Sequence, residues 1–121
     1  MDEITVYRDG TLPLRFVGEE LASASSEAPG KLRWFEVTIY RTANDGPGAA
    51  RYVVHGVGVS DVAGEDDRHW AAVCATAHEV LMALYREGED GVRFLPRTSQ
   101  YALEDAAEVD AGLREAYVAT I

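Results

Sequence analysis

The sequence has little cysteine and no long apolar run. A single cysteine, Cys74, excludes an intramolecular disulfide and therefore a small secreted scaffold held together by disulfides. The longest strongly apolar run, from Trp70 to Cys74, is far shorter than the ~20 residues that span a bilayer. The acidic start Met1-Asp2-Glu3 does not match the basic and then apolar pattern of a signal peptide. We therefore expect a cytoplasmic protein without a membrane-spanning segment.

What the sequence does contain is the composition of an ordinary globular domain. It has 121 residues, of which 47% are hydrophobic and 26% charged. This length and balance predict one domain over residues 1–121 with a single core.

Basic residues are few and acidic residues are concentrated in the second half. The net charge is −10, of which residues 61–121 carry −8. The electrostatic field of this negative charge repels phosphate backbones and anionic membranes, so nucleic acid and membrane partners are disfavoured. Mimicry of nucleic acid by the acidic half is the opposite interpretation, although acidic residues more often simply maintain solubility. Only Lys31 is a lysine, and with the abundant alanine this indicates a GC-rich bacterial or phage genome.

The start of the chain predicts a β-hairpin. Residues 3–7 and 12–17 alternate between apolar and polar side chains on either side of Arg8-Asp9-Gly10. A three-residue loop pairs Val6 with Leu12 and Ile4 with Leu14, which places the apolar side chains on one face and Gly10 in a left-handed conformation. The small and polar residues 20–30 predict a loop.

A second hairpin is predicted over residues 32–60. Leu32 to Thr42 and Arg51 to Ser60 both alternate, and the connecting residues 43–48 are typical of a turn. Phe35, Val37 and Ile39 share one face of the first strand. Together the hairpins predict a four-stranded, mostly antiparallel sheet.

The second half of the chain predicts helices. A stripe with helical spacing runs from Asp66, the expected N-cap, to Arg86; its members are Trp70, Cys74, Ala77, Leu81 and Leu84. Gly88 to Gly91 ends this helix, and Val92 to Leu95 form a short extended segment before Pro96.

A second helix is predicted to begin at Thr98 or Ser99. Its apolar side consists of Leu103, Ala106, Leu113, Tyr117 and Ile121. Asp110 falls within this stripe, so either it lies near an exposed edge or the helix breaks there and Asp110 caps a second piece, as Gly112 favours. The predicted fold is therefore α+β: the four-stranded sheet of two hairpins, followed by two helices packed on one face.

Motifs for metal or cofactor binding are weak. Cys74 and His78 are spaced to supply two zinc ligands, but a structural site needs four and the other histidines lack suitable spacing. The sequence Gly56-Val57-Gly58 lacks the third glycine and the lysine of a phosphate-binding loop, so it indicates a bulge or a close neighbour in a strand. We expect no cofactor and no metal, and a buried, inert Cys74.

His55 is the candidate for a catalytic or ligand-binding residue. It shares a strand face with Val53, Val57 and Val59, where a histidine can act as a base in a dry pocket. The corresponding hypothesis is a small enzyme or ligand-binding protein that uses His55 and Asp61, with Glu36 near them, in a cleft between sheet and helix.

The favoured hypothesis is a non-enzymatic protein that binds another protein or itself, and a phage or mobile-element inhibitor is a specialised form of it. If Phe35, Val37 and Ile39 face the helices, alternation turns Trp34, Thr38 and Tyr40 outward, and we expect Tyr52 and Val54 beside them. Clustered aromatic side chains on an open sheet face are typical of an interface, most simply that of a two-fold homodimer.

Overall fold

The computed structural model describes residues 1–120, and their side chains through residue 117. The predicted α+β class is confirmed, but the described chain has five strands in its main sheet and three helices, more than predicted. The main sheet consists of β1 (Asp2–Val6), β2 (Leu14–Ser25), β3 (Arg33–Thr42), β4 (Tyr52–Ser60) and β5 (Arg68–Cys74). The helices are α1 (Ala77–Leu84), α2 (Arg97–Val109) and α3 (Ala111–Thr120), and a small ribbon pairs β6 (Arg86–Glu87) with β7 (Arg93–Phe94).

The five strands form an antiparallel meander in sequence order. The sheet also curls, so that the loop after β1 reaches β5. The amide of Asp9 donates to the carbonyl oxygen of His69 at 3.0 Å, and the amide of His69 donates to Asp9 Oδ2 at 3.0 Å. The sheet therefore has a helix-covered face and an inner face enclosed by its own curl.

The first hairpin has the predicted faces but a different register. Val6 pairs with Leu14 and Ile4 with Phe16, two residues further along β2 than expected. A shift by two preserves the side-chain alternation, so the paired apolar residues still share one face, whereas Leu12 lies before β2 and is exposed. Gly10 has φ of +77°, which is the left-handed conformation predicted for it.

The predicted loop at residues 20–30 is wrong over its first half. Strand β2 continues through Ser25, with an irregularity between Glu20 and Ala22. Ala22 is buried in the core and Ala24 packs against it. These residues are small because α2 packs across β2, and not because the segment lacks structure.

The predicted helix from Asp66 to Arg86 is also wrong over its first half. Residues 68–74 form β5, and α1 begins only after Thr76, whose side chain accepts a hydrogen bond from the amide of Glu79. Trp70, Ala72 and Cys74 alternate toward the helix-covered face. Part of the apparent helical stripe therefore has the two-residue period of a strand.

Of the two alternatives for Asp110, an exposed edge or a helix break, the structure has the break. Asp110 ends α2, and its Oδ2 accepts a hydrogen bond from the amide of Leu113 in the first turn of α3. Helix α2 begins at Arg97, ahead of the predicted caps Thr98 and Ser99. Leu103, Ala106 and Leu113 are buried as predicted, whereas Ile121 lies outside the described residues.

The main core lies between the helices and one face of the sheet. Helix α1 packs on β4 and β5, and α2 packs on β2 and β3. Val37, Ile39 and Val54 supply the centre of the sheet's contribution to this core. The start of β3 and the end of β4 project past the core, and Phe35 at that end is exposed.

Candidate functional site

The structure places His55 on the inner face of the sheet, away from the helices. His55 pairs with Thr38 on β3, whereas its neighbour Val54 pairs with Ile39 and lies in the helix-covered core. The predicted position of His55 in a cleft between sheet and helix is therefore wrong.

On this face, His55 stacks on His69. Their ring centroids are 5.4 Å apart with an angle of 11° between the planes, and His55 Nε2 lies 3.3 Å from His69 Nδ1. Partial burial lowers the pKa of His55, the adjacent His69 lowers it further, and a hydrogen bond with the backbone of Tyr7 acts in the opposite direction. Protonation of one imidazole of this pair disfavours protonation of the other, because two positive charges would then lie side by side.

The other residues of the catalytic hypothesis do not join His55. Asp61 is exposed beyond the end of β4, and six residues of extended chain span roughly 20 Å. Glu36 accepts a hydrogen bond from Trp34 Nε1 at 3.1 Å. His55 and Asp61 are therefore too far apart to act together as a base and a carboxylate, as the catalytic hypothesis requires.

The predicted interface residues divide between the two faces of the sheet. Trp34, Thr38 and Tyr40 lie on the inner face, away from the helices as expected. Tyr52 and Val54 lie in the helix-covered core, so the expectation that they accompany Trp34 is wrong. The reason is the register, which pairs Tyr52 with Arg41 and Val54 with Ile39.

The curl of the sheet also covers the inner-face aromatics. Trp34 is only 9% exposed, and Tyr40 is half-buried with its ring 5.4 Å from that of Phe16 in an edge-to-face contact. Val6 and Val53 are buried on the same face. This face resembles a second small core more than an open interface, and a partner contact through Trp34, Thr38 and Tyr40 stays a prediction.

Tyr52 belongs instead to a buried polar cluster. Its hydroxyl donates to Asp110 Oδ2 at 2.8 Å, and Arg41 Nη1 donates to Asp110 Oδ1 at 3.4 Å. Burial, followed by the hydrogen bond and the charge of Asp110, raises the pKa of Tyr52 to about 12. Asp110 is 3% exposed, so we interpret the cluster as a structural link between the sheet and the α2–α3 junction.

Phe35, which alternation predicted to face the helices, is the most exposed aromatic side chain among the described residues. Although it shares the helix-covered face with Val37 and Ile39, it is 67% exposed because it lies past the core. Beside it lies a mostly apolar cavity of about 310 Å³, lined in part by Val37, Trp70, Phe94 and Pro96. The sequence signal for this surface is the pair of glycines in β4, Gly56 and Gly58, because neither places a side chain on this face of the strand.

Phe35 also borders a larger cleft of about 850 Å³ at the same end of the sheet. One wall of this cleft is an ion pair in which Arg33 Nε donates to Glu65 Oε1 at 2.9 Å, and Ser60 Oγ donates to the same oxygen at 2.7 Å. These contacts lower the pKa of Glu65 to about 2, the hydrogen bond from Arg33 having the largest effect. We use the name Phe35 surface for Phe35, Gly58, Arg68, Trp70 and Phe94.

Other expected features concern Cys74 and metals. Cys74 is buried as predicted, although on β5 and not on a helix, and burial together with the charge of Glu79 raises its pKa to about 11.

Across the described residues, no group of three or more histidine, cysteine, aspartate or glutamate side chains is placed to hold a metal ion. Nor is any described helix long and apolar enough to cross a membrane.

Comparison of the chain with protein-family models, with curated proteins and with solved structures gives no significant match.

Proposed function

We propose that this chain is a non-enzymatic binding protein that recognises another protein through the Phe35 surface. The observation that carries the proposal is the exposure of Phe35 and Phe94, 67% and 48%, which both line the same apolar cavity. Apolar clusters of this kind at a surface favour contact with another molecule, and buried aromatic anchors dominate the energy of many interfaces.

The net charge favours a different protein over a second copy of the chain. The chain carries a net charge of −10. A two-fold dimer centred on this surface would bring two such chains together, and their mutual repulsion opposes self-association. The proposal therefore moves the interface away from Trp34, Thr38 and Tyr40 and replaces the homodimer with a hetero-complex.

Location in the cytoplasm is part of the same proposal. It is supported by the single, buried Cys74, which suits a reducing compartment.

The test is capture of partners from the native host by immobilised wild-type and variant chains, followed by quantitative mass spectrometry. Phe35→Ala removes the exposed ring without opening the core. Val109→Ala is the matched control, because Val109 is 63% exposed at the other end of α2 from the cavity. We expect a protein that the wild type and Val109→Ala retain equally and that Phe35→Ala loses by about tenfold.

Equal retention by all three chains would contradict the proposal. Light scattering at tens of micromolar gives a second test, in which we expect a monomer; a dimer that Phe35→Ala dissociates would replace the hetero-complex with self-association.

A further inference from the structure

Strand β4 carries two glycines on its helix-covered face, and their surroundings differ. A Cβ atom on Gly56 would lie 2.1 Å from ring atoms of Trp70, whereas one on Gly58 would meet nothing closer than 3.9 Å. The two positions are separated by one residue whose side chain points to the other face. The space beside Gly56 is therefore filled by a ring, whereas an atom beside Gly58 would make only ordinary van der Waals contacts.

The surroundings of Gly56 show which groups pack against the backbone of β4. The indole of Trp70 lies against Gly56, and the guanidinium carbon of Arg86 lies 4.7 Å from the centroid of the ring. The arrangement is a layer of backbone, aromatic ring and cation, which is favourable because the cation meets the negative face of the ring.

At Gly58 the strand backbone and a neighbouring cation are also present, but no aromatic ring in the described part of the chain packs against the backbone as Trp70 does at Gly56. Gly58 pairs with Phe35 on β3 and with Arg68 on β5, and both side chains are exposed. Phe35 Cε1 and Arg68 Cβ each lie 3.9 Å from the Cβ position of Gly58. These two atoms are therefore no more than about 8 Å apart, a gap that accommodates one planar group with a carbon contact of ~3.5–4.0 Å on each side.

We propose that Gly58, Phe35 and Arg68 form a slot for an aromatic side chain of the partner protein. This inference rests on the proposed function and specifies the chemistry of the partner's anchor. An aromatic ring gains an edge-to-face contact with Phe35 and a cation–π contact with Arg68, neither of which an aliphatic side chain offers.

A protein is favoured over single-stranded nucleic acid as the source of the ring. Four carboxylates and three cationic side chains line the same cleft, and the chain has a net charge of −10. This excess of negative charge opposes the binding of a phosphate backbone.

The experiment is an amide-resolved NMR titration of the whole chain with N-acetyl-tryptophanamide, and in parallel with N-acetyl-leucinamide and a short oligouridine. We expect saturable shifts at Gly58, Phe35 and Arg68 with the tryptophan amide at millimolar concentration. The leucine amide should bind about tenfold more weakly, and oligouridine should leave these resonances unchanged.

Gly58→Val supplies the variant, because it occupies the floor of the slot with a residue that suits a strand. We expect it to weaken tryptophan amide binding by about tenfold, while Val109→Ala binds like the wild type. Gly58→Ala, with the smaller addition, keeps the test valid if Gly58→Val reduces stability.

Equal binding of the tryptophan amide by Gly58→Val, or equal binding of the two amides by the wild type, would overturn the aromatic slot. Preferential binding of oligouridine would overturn the choice of a protein. If a captured partner still depends on Phe35 in either case, the proposed function stands and only the chemistry of the anchor is wrong.

Discussion

The contact between Gly56 and Trp70 leads to a quantitative prediction about stability. Gly56→Ala places a methyl group 2.1 Å from the indole, so the ring must leave its position against the core. Overpacking of this kind costs ~1–3 kcal/mol. Replacing glycine by alanine within a strand regains ~0.5–1 kcal/mol. We expect the free energy of unfolding to fall by roughly 1–2 kcal/mol.

Gly58→Ala is the matched control because its added methyl group meets only ordinary van der Waals contacts. We expect it to be neutral or to stabilise by up to ~1 kcal/mol. The two variants should therefore differ by roughly 1–3 kcal/mol in urea unfolding followed by circular dichroism, and by roughly 5–10 °C in Tm.

A double-mutant cycle tests the cause. In a Trp70→Leu background, Gly56→Ala should cost at least ~1 kcal/mol less than in the wild type. The reasoning is refuted if Gly56→Ala and Gly58→Ala are equally stable, or if the effects of the Gly56 and Trp70 substitutions simply add.

Three further predictions concern buried polar groups. Asp110→Ala should cost roughly 2–4 kcal/mol in urea unfolding, because it removes a helix cap and leaves the hydroxyl of Tyr52 without its acceptor; a loss below ~1 kcal/mol would contradict the structural role. Since the pKa of His55 is lower in the folded chain than its ordinary 6.5, the unfolded chain binds the proton first, and the free energy of unfolding should fall as pH drops through that value. His55→Gln should flatten this dependence between about pH 7 and 5, and an unchanged slope would be evidence against it. Cys74, with a pKa raised to about 11, should react with a thiol reagent far more slowly in the native chain than in urea, and equal rates would show that it is accessible.

Local sequence predicted the central hairpin well. Strands β3 and β4 lie within one residue of the expected limits, because both alternate cleanly and are separated by a strong turn signal. The break at Asp110 could also be anticipated from the sequence, since a carboxylate within an apolar stripe must either be exposed or cap a helix.

The assignment of residues 68–74 failed because two periods fit the same side chains. Trp70, Cys74 and Ala77 satisfy a helical stripe, while Trp70 and Cys74 also satisfy strand alternation. What decides between them is a partner distant in sequence, the bare backbone of Gly56 that receives Trp70. A local pattern does not contain that information.

The candidate site was missed for a related reason. Sequence alternation correctly placed Phe35 on the same face as Val37 and Ile39, and so predicted that it would be covered. Whether it is covered depends on where the helices lie over the sheet, and the exposed Phe35 lies beyond their reach. Likewise, the curl that covers Trp34 depends on the contact of Asp9 with His69, sixty residues away.

The central claim is that the Phe35 surface binds another protein, and the most direct measurement is calorimetry with the purified captured partner. We expect Phe35→Ala and Gly58→Val each to raise the Kd by about tenfold or more, Val109→Ala to leave it unchanged, and all three variants to remain folded. An equal Kd for the wild type, Phe35→Ala and Gly58→Val would contradict the claim and place the interface elsewhere on the chain.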